Sequence, residues 1–448
     1  MNINYIFRSY DIRGIYGKDL TGDVTEKIGL AIASYLKSDI AIARDMRDSS
    51  NTLMERVIDG ITKGGRNVYL LGMLPFGPGM FYSWKRGLPF VHITASHLPA
   101  EWGGIKIFHS SGTSLIDKEI IKLRDMVLGG VTGSANGNIQ NIDSKEVLKE
   151  YRNYLVSKLK PAKKMRIVID CGNGMAGLIA RELFQKAGFE VSMLFEELDG
   201  SFPNRSSEPT DESLTDLKKG VNGSIGIAYD GDADRTVFVD GRGRALKAEH
   251  LAAVMLMDLS QYAKGPVVAN VECTRMIEDV AEKYSLGLQR IRVGHPYLVS
   301  ESKRLNAILG VEDSGHFILP FLLPFGDAIA VSLYAVCVLS KLNKSLADIV
   351  DSLPQYSSAK LKFACSDRNK FVVVENMKDT LARQYKKLTT IDGVRVDIPE
   401  GWMLVRASNT EPIVRMTIEA VGEKEMLAMK KRFAAMLEES IKNLDKKK

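Results

Sequence analysis

No stretch of this 448-residue sequence stays apolar for the roughly 18 residues that a bilayer-spanning helix needs, so no membrane span is expected. Its opening, Met1 to Tyr5, carries neither the basic patch nor the apolar stretch of a secretory signal, which points to the cytoplasm. Only four cysteines occur, Cys171, Cys273, Cys337 and Cys365, and they are far apart with no C-x-x-C pair. That spacing excludes a disulfide framework and gives no structural zinc site. A strong excess of one charge is also missing. Lys and Arg outnumber Asp and Glu by 61 to 55, for a net charge of +6, and part of the surplus is the terminal Lys446 to Lys448. A positive balance suits a phosphorylated substrate, but one so mild and dispersed gives no argument for nucleic acid, and no nucleic-acid partner is expected. What is present is an ordinary globular mix, 45% hydrophobic and 26% charged, in a chain long enough for about three domains of about 150 residues.

The first three quarters repeat one order of elements. Apolar runs at Ile40 to Asp45, Arg166 to Asp170 and Pro266 to Glu272 each end in a polar turn, followed by a helical stretch and a second strand. The second strands are Asn67 to Leu71, Glu190 to Leu194 and Leu288 to Val293; third strands beginning at Val91, Ile225 and Ile308 then run into unusual loops at Ser96, Asp230 and Glu312. Strand–helix–strand units with short buried strands predict α/β domains whose ligands gather beyond the carboxyl ends of the strands. The final quarter reads differently. A strand is expected from about Phe371, a helix over Asn376 to Lys387, strands near Val394 to Asp397, Trp402 to Arg406 and Ile413 to Ile418, and a closing helix from Glu423 to about Asn443. Met426, Met429, Phe433, Met436, Leu437 and Ile441 fall on one face of that last helix, the pattern of ordinary core packing. The predicted architecture is three similar mixed-sheet α/β domains plus a smaller α+β C-terminal domain around one central cleft. The expected domains are 1–148, 149–250, 251–363 and 364–448.

Four loops carry the chemistry. In Asp230-Gly-Asp232-Ala-Asp234-Arg235, three carboxylates alternate, which in an extended segment turns them to one side. Like charges held together call for a cation, and hard oxygen ligands favour Mg²⁺; the bland alternative is an acidic solvated turn. An EF-hand reading fails, because its sixth and twelfth positions would be Arg235 and Gly241 instead of Gly and Glu. The second loop, Thr94-Ala-Ser96-His97-Leu98-Pro99, has Lys106 ten residues after its serine. Such a serine is either an activated nucleophile or a plain helix cap. No G-x-S-x-G elbow is present. The third loop holds Ser408, Asn409 and Thr410 between Arg406 and Arg415, donors that would cradle a phosphate or simply form a polar hairpin. The fourth, Glu312-Asp313-Ser314-Gly315-His316, offers donors and acceptors suited to sugar hydroxyls, or is a polar loop after a strand.

Together these loops describe phosphoryl transfer on a phosphosugar. With Phe7 to Gly14, Asp170 to Gly174 and Asp199 to Asn204 added, the sequence resembles the α-D-phosphohexomutase superfamily, and within it the phosphomannomutase/phosphoglucomutase branch, over essentially its whole length. The resemblance implies a phosphoserine at Ser96 with Mg²⁺ between it and Asp230, Asp232 and Asp234, and Arg235 beside the metal. It implies transfer to a hexose monophosphate through a 1,6-bisphosphate, which also serves as activator. Arg406, Ser408, Asn409, Thr410 and Arg415 would hold the non-reacting phosphate. Glu312 and Ser314 would hold the sugar, with Tyr10, Gly294 and His295 at the substrate. Lys106, His97 or His316 would move the proton, with Arg13 stabilising charge.

Two positions depart from the family pattern. Leu98 stands where Asn commonly precedes the loop proline, and Glu272 stands where a Lys often precedes Cys-Thr-Arg. Mannose against glucose is left open, and so is a monomer against a homodimer. Phosphoglucosamine mutase is the alternative substrate reading. An aspartyl-phosphate phosphotransferase with Asp230 as nucleophile, or a non-catalytic sugar-phosphate-binding protein, are the rivals of other classes.

Overall fold

A computed structural model of the protein describes residues 3–133, 136–386, 388–408 and 412–445. Three mixed sheets follow one another along the chain. The first has six strands in the order Ile12–Ile15, Trp102–Phe108, Phe90–Ile93, Ile40–Arg44, Val68–Met73, Ile139–Asn141. The second runs Thr236–Val239, Ile225–Tyr229, Arg166–Asp170, Glu190–Leu194, and the third Leu288–Ile291, Val267–Asn270, Leu309–Val311, Phe317–Ile318. In each, a buried parallel strand is followed at once by an antiparallel return: Phe90–Ile93 by Trp102–Phe108, Ile225–Tyr229 by Thr236–Val239, Leu309–Val311 by Phe317–Ile318. The unusual loops are those three turns. Each therefore sits at the carboxyl end of a strand, where an α/β sheet presents its ligands.

The fourth sheet is wholly antiparallel, in the order Ser357–Ala364, Ile413–Ala420, Gly401–Ala407, Val394–Ile398, Leu388–Thr389. Two helices, Lys370–Ala382 and Glu423–Asp445, pack on it, and Met429, Phe433 and Leu437 enter its core as the helical spacing predicts. The strand expected from Phe371 is not there. Phe371 lies in the helix, which buries Val373, Val374, Met377 and Leu381 at helical intervals and ends before the expected Lys387. The β-branched run Val372 to Val374 suggested a strand, and packing of one helical face overrode that local preference. The strand instead lies earlier, at Ser357–Ala364, where every second side chain is exposed.

One continuous core joins the first three units, with Phe76 and Met80 from the first, Phe184 and Tyr229 from the second, and Ile329 and Leu333 from the third. Its central helix, Ala328–Lys341, is buried along all but its last residue. Asp327 caps that helix by accepting from the Ile329 and Ala330 amides, at 3.0 and 3.1 Å, and also accepts from Tyr151 of the first unit at 2.7 Å. The fourth unit has a separate core and meets the third through the small cluster of Val271, Trp402 and Leu404. The positions 148/149, 250/251 and 363/364 all fall inside regular elements, the helices Ser144–Lys158 and Ala248–Leu259 and the strand Ser357–Ala364. Among the described residues no helix is long and apolar enough to cross a membrane.

Two glycines set how closely the first unit's outer helices approach. A Cβ on Gly29, in Gly22–Leu36, would lie 2.2 Å from the Val57 carbonyl oxygen, and one on Gly60, in Asp48–Lys63, would lie 2.0 Å from that of Glu26. Gly60→Ala must push the helices apart, which we expect to cost about 1–3 kcal/mol in urea unfolding. An unchanged midpoint would show that the contact is not tight.

Candidate active site

The serine loop is held in an unusual backbone shape. Ser96 is buried and has a φ of 52°, in the left-handed region that a non-glycine residue enters only when its surroundings fix it there. Its amide donates to Thr94 Oγ1 at 2.9 Å, and its hydroxyl donates to Asp230 Oδ2 at 2.9 Å. No helix begins at Ser96, since the loop turns directly into the strand Trp102–Phe108, so it is not a helix cap. Protein donors hold the loop's carbonyls. Arg13 donates to Ala95 O at 3.2 Å, Arg47 to Ser96 O at 2.8 Å and also to Leu98 O and Pro99 O, and Ser207 to His97 O at 2.6 Å. Gly231 lets the aspartate loop come this close, because a Cβ there would lie 2.6 Å from Ser96 O.

Asp230, Asp232 and Asp234 do converge, with a ligand oxygen of each within 4.8 Å of the others, and all are buried. Strand alternation is not the cause. The segment is a tight turn with Ala233 at φ 61°, folded about Asp230, whose Oδ1 accepts from the amides of Asp234 and Arg235 at 3.1 Å each. Burial and the neighbouring Asp234 and Asp232 push the Asp230 carboxyl well above the usual range. Lys106 supplies the local positive charge, its Nζ 2.9 Å from Asp232 Oδ2 and 2.7 Å from Asp234 Oδ2. Although burial opposes charge on all of them, this contact raises the Lys106 pKa and holds Asp232 and Asp234 below the ordinary carboxylate range. Asp232 Oδ1 is buried without a hydrogen-bond partner among the described residues. Three convergent carboxylates, two of them (Asp232 and Asp234) with a buried oxygen that accepts no hydrogen bond among the described residues, fit a hard divalent cation that takes only oxygen ligands.

The third unit closes the other side. Glu312 accepts from the Gly294 amide at 2.6 Å, Asn270 at 3.2 Å and Ser314 at 2.9 Å, and lies 2.9 Å from His316 Nδ1. Burial works against its charge, yet His316, Gly294 and Ser314 bring its pKa down to about 2. The other ring nitrogen of His316 lies 3.2 Å from Asp234 Oδ1, joining the loop of residues 312–316 to the aspartate loop. Burial disfavours charge on His316, but Asp234 and Glu312 raise its pKa overall. His295 stacks on it at 4.6 Å, and burial together with His316 drops the His295 pKa to about 3. Tyr10 meets Tyr297 edge-on at 6.2 Å beside Gly294. Arg235 bridges to Glu208 at 3.0 Å, and Arg13 to Asp11 at 2.6 Å. His97 is largely buried with its Nδ1 unpartnered among the described residues, and burial beside Arg235 and Arg13 keeps it neutral.

In the fourth unit, Arg406, Arg415 and Lys362 stand directly opposite one another across three strands. Like charges in such a row repel and favour an anion over them. Arg406 meets one from its own chain, an ion pair with Glu272 of the third unit. Close by, Lys360 donates to Asp313 at 2.7 Å. The family departure at Glu272 thus has a visible role, as a countercharge that joins the two units. Ser408 is buried and its amide donates to Ile413 O at 3.0 Å; Asn409 and Thr410 lie outside the described residues.

The structure therefore brings Ser96, His97, Lys106 and Arg13 together with Asp230, Asp232, Asp234 and Arg235, and joins Glu312, Ser314 and His316 to them. Arg406 is brought to Glu272 instead. Arg47, Ser207 and Glu208 were not foreseen. Arg47 follows the carboxyl end of the strand Ile40–Arg44, and that position was the signal that could have flagged it.

Comparison with known proteins matches this geometry. All four domain models of the phosphoglucomutase/phosphomannomutase family match the chain in order: α/β/α domain I at residues 4–129, domain II at 147–243, domain III at 247–356 and the C-terminal domain at 361–436. The protein belongs to this family. A phosphomannomutase/phosphoglucomutase of Pseudomonas putida is 33% identical over 96% of this chain and 95% of its own length. A probable phosphoglucosamine mutase of Methanosarcina acetivorans is also 33% identical, over 93% of this chain and 95% of its own. Among solved structures, a phosphoglucomutase/phosphomannomutase family protein of Burkholderia thailandensis superposes with a TM-score of 0.89 at 27% identity, covering 97% of both chains.

The crowded carboxylates make a direct prediction. Mg²⁺ at saturation should raise the melting temperature by about 5 °C. Asp230→Asn, which keeps the shape and takes away one of the three carboxylates that would bind the cation, should shrink that increment. Equal increments in both proteins would place the cation elsewhere.

Proposed function

We propose that this protein is a phosphohexomutase moving a phosphoryl group reversibly between C1 and C6 of mannose and glucose phosphates, with Ser96 as the carrier. The observation that carries the reading is the Ser96 hydroxyl 2.9 Å from Asp230, buried where loops from three units converge. A hexose 1,6-bisphosphate loads the serine. The bond from phosphorus to Ser96 Oγ then breaks as one forms to the free hydroxyl of a bound hexose monophosphate, whose proton leaves to the enzyme. The resulting bisphosphate turns over in the cleft and returns its other phosphoryl group to Ser96.

Mg²⁺ held by Asp230, Asp232, Asp234 and Ser96 would neutralise charge on the transferring group. Arg13 and Arg235 add fixed positive charge around the serine. The proton at the sugar oxygen would move through Lys106, His97 or His316, all of which lie beside the serine and aspartate loops. Glu312 and Ser314 would bind the sugar, its hydroxyls replacing the contact these two now make with each other. Arg406 and Arg415, with Ser408, Asn409 and Thr410, would hold the second phosphate, which displaces Glu272 from Arg406. Tyr10, Gly294 and His295 shape the wall between the sugar loop and the first unit.

Glu312 and Ser314 would read hydroxyls that glucose and mannose share, leaving the second position, where they differ, unread. We therefore expect mannose 1-phosphate and glucose 1-phosphate to turn over within about tenfold of each other in a coupled assay primed with bisphosphate. Glucosamine 1-phosphate brings an ammonium to that second position, which Arg or His side chains nearby would disfavour, and should be at least about 100-fold poorer. Ser96→Ala should be inactive on all three. A preference for glucosamine 1-phosphate would establish the phosphoglucosamine mutase reading, which the similarity to archaeal phosphoglucosamine mutases also supports.

A further inference from the structure

We propose that Arg47 is a positioning residue for the phosphoryl acceptor, fixing the backbone of the serine loop so that Ser96 Oγ meets Asp230. This inference rests on Ser96 being the carrier. Among the described residues, the side-chain hydrogen bonds of Arg47 go to backbone carbonyls and to Asp45, not to Ser96 Oγ. It is 1% exposed at the start of the helix Asp48–Lys63, and its guanidinium reaches three carbonyls of one loop: Ser96 O at 2.8 Å, Leu98 O and Pro99 O. Asp45 holds it from behind, accepting from its Nε and its amide at 3.1 Å each. Phe202 of the second unit covers it, the ring centroid 4.9 Å from the guanidinium carbon, and Gly200 leaves room, since a Cβ there would lie 2.7 Å from Arg47 Cα.

The chemistry explains why an arginine is needed. A chain with Ser96 at φ 52° relaxes towards negative φ unless its carbonyls are pinned. A planar fork with five donors can satisfy three carbonyls in fixed directions and still pair with a carboxylate. Lysine offers one ammonium that cannot span them. The Phe202 cover comes from the unit that carries the aspartates. Arg47 thus links the loop's shape to the docking of the second unit on the first.

The test uses the full-length protein with Mg²⁺ and hexose 1,6-bisphosphate. Wild-type protein that neither isomerises hexose phosphates nor gains a phosphoryl group on Ser96 would sink the reading beneath this inference. Given an active wild type, Arg47→Lys should lower kcat and the rate of Ser96 phosphorylation, followed by intact mass, by about 100-fold. The KM for hexose 1-phosphate should stay within about threefold, because the sugar and phosphate loops are untouched. Should Arg47→Lys fold poorly, Arg47→Ala with added guanidinium ion provides the second arm. Recovery of phosphorylation rate by the small cation, with no change in melting temperature, is the expected result. Phosphorylation as fast as wild type in Arg47→Lys, or loss of rate that only tracks loss of folded protein and is not rescued by guanidinium, would overturn the proposal.

Discussion

The burial of three carboxylates at one point, against a serine hydroxyl, is the constraint on which the rest of the architecture depends. Side by side and out of water, Asp230, Asp232 and Asp234 repel one another strongly. The fold answers with cations from two other units. Lys106 comes from the strand that returns after the serine loop, and His316 from the end of the loop of residues 312–316. Neither reaches Asp230, which is the carboxylate facing Ser96 and the one pushed furthest towards its neutral form. The place where charge is least compensated is also where the Ser96 hydroxyl, the proposed phosphoryl carrier, stands. A divalent cation there would relieve the fold and would serve the proposed chemistry together.

The repeated sheet design explains how three loops reach one point. In every one of the first three sheets a buried parallel strand turns straight back into an antiparallel neighbour, so the loop between them is short and anchored at both ends. Register adds to this. His92 and Lys106 are cross-strand partners in the first sheet, so both side chains leave the same face towards Asp232. The shared core beneath fixes these loops relative to one another. The fourth unit, with its own core, is tied on through a few contacts, among them the Arg406–Glu272 pair, the Lys360–Asp313 pair and a hydrogen bond from Arg395 to Val271 O at 2.9 Å. Such an attachment suits the proposed phosphate site, in which a substrate phosphate would take the place of Glu272 on Arg406.

Much of this was legible in the sequence because it is local. The strand–helix–strand order, the alternating aspartates, the serine loop and the helical face of Met429, Phe433 and Leu437 each occupy a short window. Long-range pairings were not legible. Nothing in the spacing of Lys106 says that it meets Asp232 and Asp234, more than a hundred residues away. Arg47 reads as an ordinary arginine before a helix, and Glu272 as a mere departure from a family pattern, until the fold brings their partners. Local propensity misled twice. The Val372 to Val374 run looked like a strand and became helix, and the aspartates converged through a left-handed Ala233 instead of a pleat.

The central claim is that the serine, not the aspartate beside it, carries the phosphoryl group. The most direct measurement is to load the enzyme with radiolabelled hexose 1,6-bisphosphate, denature it, and divide the sample between acid and hydroxylamine. A phosphoserine survives both, so the account predicts label that resists hydroxylamine and is missing from Ser96→Ala. Label that hydroxylamine releases and that persists in Ser96→Ala would be an acyl phosphate, and would transfer the role to Asp230.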